Sequence, residues 1–298
     1  MDIREWALLI FTILGQIATG ALFVLMVVRA YAVKKAGVEQ ADRLTDKPLY
    51  IVVPIMLLAL LASVLHLGNP INIVGAVPNL GSSWLSREVV VAVVFVILAG
   101  VYTLMQWRKI STDMVRMVIG WIAALVGIFQ TYSMAMVYMI RTQPSWNTFA
   151  TPVTFLVTCL LLGALSIAAA LAATRRRDNE QDSLVRDILR GIAVAAIVLV
   201  GIEFVVLPVY VVYLSTKGGA ALQSLNMMVG QFGVALVLRL VFVFVGAGML
   251  GFYLYQNASI AGREKALSTL VYSAFVLALV GEAIGRYIFY ATHVRIGL

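Results

Sequence analysis

The chain has 298 residues, of which 62% are hydrophobic and 12% charged, with 22 Lys and Arg against 14 Asp and Glu. Ordinary soluble domains are about one-quarter charged, so this composition excludes that class and fits a protein that uses lipid as its solvent. A single cysteine also excludes a disulfide-built scaffold and a cysteine-rich zinc or iron–sulfur site.

In chain order, apolar runs occupy residues 6–28, 49–65, 89–107, 114–140, 153–173, 188–214, 229–255 and 267–290. Each is long enough to cross a hydrocarbon core of about 30 Å at about 1.5 Å per helical residue. They lack the alternation of a lumen-facing barrel strand, so the expected class is an all-α integral membrane protein. We expect a single polytopic domain over residues 1–298, with eight transmembrane helices. The first run is expected to be retained, because residues 1–5 carry no positive excess and no small-residue cleavage site follows. Lys47-Pro48 reads as the start of the second span and Thr151-Pro152 as the start of the fifth. The longest connecting segments are roughly twenty residues, too short for an independent domain.

The second run ends in His66-Leu-Gly-Asn-Pro70, and Ser86-Arg87-Glu88 opens the third. Each string has an ordinary reading. His66 is a basic residue in a last helical turn, with Gly68 at a left-handed position and a proline that stops the helix. Glu88 is a carboxylate favoured by the helix dipole, with Ser86 as the cap. Together, with Trp84 and Arg87 beside them, they place an imidazole and a carboxylate at one face of the bilayer. That pairing suits a group that loses protons and electrons together.

Basic residues set the expected orientation, because Lys and Arg in short loops are retained in the cytoplasm. Fifteen lie in loops after odd-numbered runs, and only five, Arg4, Arg87, Arg141, Lys217 and Arg295, on the other side. Both termini, His66 and Glu88 are therefore expected on the outer, periplasmic side. A basic cytoplasmic rim accounts for the net charge of +8, so no nucleic-acid partner is implied.

Four charges lie deep in the last three runs: Glu203, Arg239, Glu282 and Arg286. Isolated charges are costly there, so two readings stand: neutralised pairs that tie these spans together, or a proton relay or substrate path. Pro208 removes a helix hydrogen bond near Glu203. The two histidines, His66 and His293, lack the spacing of a bis-histidine haem site, and no haem or metal is expected in this protein.

Six strings run through the sequence from end to end: Phe11-Thr-Ile-Leu-Gly15-Gln16, Ser63-Val-Leu-His66-Leu-Gly68-Asn-Pro70, Leu85-Ser-Arg-Glu88, Arg141-Thr-Gln-Pro144-Ser-Trp146, Thr151-Pro152 and Gly281-Glu-Ala-Ile-Gly-Arg286-Tyr-Ile-Phe-Tyr290. In that order they resemble the membrane-anchor subunit of dimethyl sulfoxide reductase. The resemblance implies a haem-free, multi-pass subunit of the bacterial cytoplasmic membrane. Such a subunit docks a ferredoxin-like iron–sulfur subunit and a molybdopterin catalytic subunit, and oxidises menaquinol for them in anaerobic respiration. His66 and Glu88 match the family's quinol site: His66 is expected to accept a proton, Glu88 to orient the imidazole or accept the second proton, and Arg87 to bind a quinol oxygen or a partner carboxylate. No quinol role is carried onto Glu203 or Arg239, because spans four to seven match less. Three other readings stay open: the same kind of anchor working towards quinone reduction, a purely structural anchor, and a secondary transporter. The last would usually show a pseudo-repeat with interrupted helices, and the two halves of the sequence show no clear echo.

Overall fold

The computed structural model describes residues 3–66, 78–174, 179–258 and 264–296. Helices satisfy their own backbone amides, as lipid demands, and the described residues contain no strand. They form α1 (Ile3–Leu49), α2 (Val52–His66), α3 (Trp84–Arg108), α4 (Asp113–Val137), α5 (Ala150–Thr174), α6 (Asn179–Lys217), α7 (Gly219–Asn226), α8 (Gly233–Val243), α9 (Leu250–Ala258) and α10 (Glu264–Ala291). Seven runs among the described residues are long and apolar enough to cross a membrane. The first two expected spans fall within one of them, Trp6–Val64, because α1 continues for 47 residues and α2 has only 15.

Gly37 breaks α1 with φ at 84°, a conformation that a side chain would strain. The rest of that helix, residues 38–49, turns out of the first span's path and carries Asp42 and Asp46. Lys47-Pro48 therefore does not open the second span: α1 includes Pro48, and α2 starts after a turn in which Tyr50 donates to the Lys47 carbonyl. Ser86 is likewise not the cap of α3. Ser83 holds that position, and its hydroxyl accepts from the Ser86 amide at 3.3 Å. The run expected at 229–255 is divided into α8 and α9 by a π-helical turn at Phe244–Met249, and a second π turn at Met227–Gln231 precedes α8.

α1 and α5 form the central pair. A Cβ on Gly20 would fall 1.9 Å from the Cys159 carbonyl oxygen, and one on Gly163 would fall 2.3 Å from the Gly20 carbonyl carbon. Small residues let membrane helices approach this closely where Leu-sized ones could not. Beside the crossing, the Thr19 and Thr131 hydroxyls lie 2.9 Å apart, and each lies 3.4 Å from Cys159 Sγ. α2 and α4 pack on α1, α3 packs on α4, α6 and α10 pack on α5, α8 packs on α10 and α9 packs on α6. Large apolar side chains such as Val205, Val212, Leu125 and Val234 face outward, as a lipid-facing surface requires.

Polar groups gather at the two ends of the bundle. At one end, fully buried Arg29 pairs with Asp42 at 2.7 Å and Asp113 at 2.5 Å, and donates to Thr45 at 3.2 Å. Lys109 bridges Asp42 and Asp46 at 2.8 and 2.7 Å, and Gln106 donates to both carboxylates. Burial works to raise the Asp42 carboxyl, but hydrogen bonds from Lys109 and Arg29 hold its pKa below the ordinary carboxylate value. Arg29 thus keeps an ionised partner. Glu88 lies at the opposite end.

Candidate functional site

α2 ends at His66, whose side chain lies outside the described residues, as do Gly68 and Pro70. Glu88 is the better-defined half of the expected pair. One turn into α3, it is buried, 6% exposed, on the side that packs against α4. At the same end of the bundle stand two tyrosines, Tyr138 at the end of α4 and Tyr290 in α10. Their hydroxyl oxygens are 2.8 Å apart.

An aromatic cluster surrounds the tyrosine pair. Tyr138 meets Trp146 edge-on at 5.3 Å and Phe289 at 5.4 Å, while Trp146 stacks on Phe289 at 5.2 Å and lies 4.8 Å from the His293 ring. Three hydrogen bonds fix this assembly: Trp146 Nε1 donates to the Phe289 carbonyl, Thr151 Oγ1 to the Trp146 carbonyl, and Tyr210 Oη to the Ser145 carbonyl. Beneath it, the Arg286 guanidinium lies 3.5 Å over the centre of the Phe155 ring and donates to Gln16 Oε1 at 3.3 Å. Gln16 in turn donates to the Phe155 carbonyl at 3.2 Å. One cation is therefore held under a set of rings and hydroxyls. Flat aromatic walls with a few convergent polar groups are the usual make-up of a site for a small ring-bearing ligand.

Arg87 is engaged elsewhere. Its Nε donates to the Leu80 carbonyl and its Nη2 to the Gly81 carbonyl, both at 2.9 Å, and its guanidinium covers the Trp84 ring at 4.3 Å. It ties down the turn before α3.

The four deep charges converge on one cavity between α5, α6, α8 and α10. Arg239 pairs with Glu203, which joins α8 to α6 as a neutralising pair would. Glu282 and Arg286 are served separately: Glu282 Oε2 accepts from Thr158 Oγ1 at 2.7 Å, and Arg286 reaches Gln16. Tyr138 went unnoticed in the sequence, and Gln16 and Tyr290 carried no role there. Their only signal was the spacing of Glu282, Arg286 and Tyr290, four residues apart along one helix face.

The sequence profile described as DMSO reductase anchor subunit (DmsC) matches residues 1–292. The protein belongs to that family. Among similar proteins is the anaerobic dimethyl sulfoxide reductase subunit YnfH of Escherichia coli (strain K12), 29% identical over 301 aligned positions that cover 99% of this sequence and 97% of that one. The C subunit of the Haemophilus influenzae anaerobic dimethyl sulfoxide reductase is 27% identical, covering 99% and 96% respectively. Its Escherichia coli (strain K12) counterpart is also 27% identical, over 99% and 97%. This anchor is thus a multi-pass, all-α membrane protein of a DMSO reductase complex, a setting that implies catalytic and electron-transfer partner subunits. Among the described residues, no group of three or more His, Cys, Asp and Glu side chains is arranged to hold a metal ion.

Proposed function

We propose that this anchor oxidises menaquinol at the Glu88 end of the bundle and delivers the electrons to a docked iron–sulfur subunit, which serves a molybdopterin catalytic subunit in anaerobic respiration. What supports the reading is the Glu88 carboxyl buried near the start of α3, at the end of the bundle where the Tyr138–Tyr290 hydroxyl pair sits among packed aromatic rings. A quinol must shed two protons as it gives up two electrons, and each hydroxyl grows more acidic as the electrons leave. A positioned acceptor within hydrogen-bond reach speeds that loss. Glu88 takes one proton, and His66 suits the other, because an imidazole is the side chain that changes charge near neutral pH. The tyrosine hydroxyls orient the ring oxygens, the aromatic walls hold the ring, and Arg87 secures the turn that borders the site.

The reading includes a single polytopic domain of eight spans in the bacterial cytoplasmic membrane, with both termini and the Glu88 end outside. The Arg29 end then faces the cytoplasm, in keeping with the basic loops there.

The test is quinol-linked turnover in the assembled complex with Glu88→Gln and, separately, His66→Phe, beside turnover driven by an artificial donor that feeds the catalytic subunit directly. Both variants should lose most quinol-linked turnover and keep artificial-donor turnover, because the lost group removes protons and does not dock the partner. Normal quinol oxidation in both, with the complex intact, would leave a structural anchor as the better description.

A further inference from the structure

At the Arg29 end of the bundle, α2 and α3 are consecutive helices that do not close on each other: α2 packs far more on α1, and α3 far more on α4. Between them lies an apolar groove of about 380 Å³, lined by Tyr50, Val53, Gly100, Thr103, Leu104 and Trp107. It faces out of the bundle, since Leu104 and Trp107 are 50% and 58% exposed. The local sequence accounts for its shape. A Cβ on Gly100 would meet nothing within 4 Å, so the glycine leaves the α3 wall hollow. The one hydroxyl on that wall, Thr103 Oγ1, donates to the Ala99 carbonyl at 2.7 Å and is spent within its own helix. Gly100 to Trp107 covers about 10 Å along α3, one-third of a hydrocarbon core of about 30 Å.

One end of the groove carries Tyr50 and Trp107, the aromatic types that settle at the level of lipid headgroups. A basic residue accompanies each. The Arg108 guanidinium lies 4.5 Å over the centre of the Trp107 ring, and Lys47 belongs to the turn in which its carbonyl accepts from the Tyr50 amide at 3.3 Å. Both basic side chains are exposed. The carboxylates that α1 and α4 bring to this end already have other cations: Glu39 has Arg43, Asp42 has Arg29 and Lys109, Asp46 has Lys109, and Asp113 has Arg29. Lys47 and Arg108 therefore add positive charge at the mouth of the groove. Lipid tails are as apolar as the groove walls, so the groove alone prefers no lipid; the cations supply the preference, because Lys and Arg at this level attract anionic headgroups.

We propose that the α2–α3 groove binds one anionic phospholipid, with an acyl chain along Gly100 and Leu104 and the phosphate at Lys47 and Arg108. The site lies at the far end of the bundle from Glu88 and stands whether or not quinol is oxidised there. Charge selects the headgroup: a zwitterionic lipid brings its own cation and gains less from two more, whereas phosphatidylglycerol brings a net negative charge. Free phosphate would meet the cations and leave the groove unused. The chain in the groove would pack α2 against α3 where the protein itself does not.

The test is native mass spectrometry of the full-length protein in detergent, titrated with phosphatidylglycerol and, in parallel, with phosphatidylcholine of the same chain length. One phosphatidylglycerol should bind ahead of all others and about tenfold more tightly than phosphatidylcholine. Lys47→Gln combined with Arg108→Gln should abolish that preference. Gly100→Phe should fill the groove and cut phosphatidylglycerol affinity about tenfold, which corresponds to roughly 1.4 kcal/mol of binding. Leu104→Trp, at an exposed position, repeats this arm if Gly100→Phe assembles poorly. Equal affinity for the two lipids in the unaltered protein overturns the proposal. So does a preference that survives the loss of both cations, or one that survives filling of the groove, since either result puts the lipid elsewhere.

Discussion

Tyr138 and Tyr290 meet through their hydroxyls at 2.8 Å, and this contact joins the end of α4 to α10. Tyr138→Phe and Tyr290→Phe should each destabilise the protein by about 1 kcal/mol, and the double variant should cost little more than either alone, because one bond is lost in all three. Thermal unfolding of the detergent-solubilised variants gives the cycle. If the tyrosines orient quinol as proposed, the same variants lower quinol-linked turnover while artificial-donor turnover holds, a split that loss of stability alone would not produce.

Glu203 and Arg239 form an ion pair deep in the apolar part of the bundle. Removing one partner of such a pair strands the other, at a cost of about 3–5 kcal/mol. Glu203→Ala or Arg239→Ala should therefore reduce the yield of monodisperse protein sharply, and Glu203→Leu combined with Arg239→Leu should recover much of it. Equal yields for the single variants and the unaltered protein, by size-exclusion chromatography, would show that the pair is not structural. Glu203→Gln that assembles well yet stops quinol oxidation would favour the relay reading over a neutralising one.

The α1–α5 crossing tolerates no added carbon at its centre. Gly163→Val and Gly20→Val should abolish assembly, since even the first added carbon falls 1.9–2.3 Å from backbone of the facing helix. Gly191→Ala and Gly201→Ala, which meet nothing within 4 Å, should be neutral or stabilising by up to about 1 kcal/mol through helix propensity. Fluorescence-detected size exclusion of tagged variants separates the two groups.

Topology has its own test. Reporter insertions after Ala36 and Leu184 should read cytoplasmic, and insertions after Gly218 and Arg141 should read periplasmic, because the fifteen-to-five asymmetry of basic residues sets orientation. A cytoplasmic signal after Arg141 would invert the topology and place Glu88 on the wrong side for an outward-docked partner.

The helical class was legible because each run is apolar enough to be seen without any alignment of partners. Glu88 stood out as a candidate for a related reason: a carboxylate is conspicuous in a sequence with so few charges. The Glu203–Arg239 bond between α6 and α8 fits the first of the two readings left open for the deep charges, neutralised pairs that tie these spans together. The two turns that were misplaced, at Pro48 and at Ser86, depend on where the backbone bends. At Gly37 only φ reveals the bend, and at α3 the capping hydroxyl belongs to the serine three residues earlier. The aromatic enclosure was not legible at all. Tyr138, Trp146, Phe155 and Phe289 come from four parts of the sequence and look like ordinary membrane aromatics until packing brings their rings within 6 Å. The π turns around α8 were equally hidden, since they preserve the apolar run that marks a span.

The Arg29 cluster also constrains the order in which the protein is built into its membrane. Arg29 and Asp42 belong to the same stretch of nascent polypeptide and can neutralise each other as soon as both have emerged. Asp113, the second carboxylate on Arg29, and Lys109, which holds Asp42, arrive only after α3 has been synthesised. Until then residues 38–49 must keep their charges wet, so the first hairpin cannot settle against the lipid surface by itself. Its final burial waits on the start of α4, which brings Asp113 to Arg29.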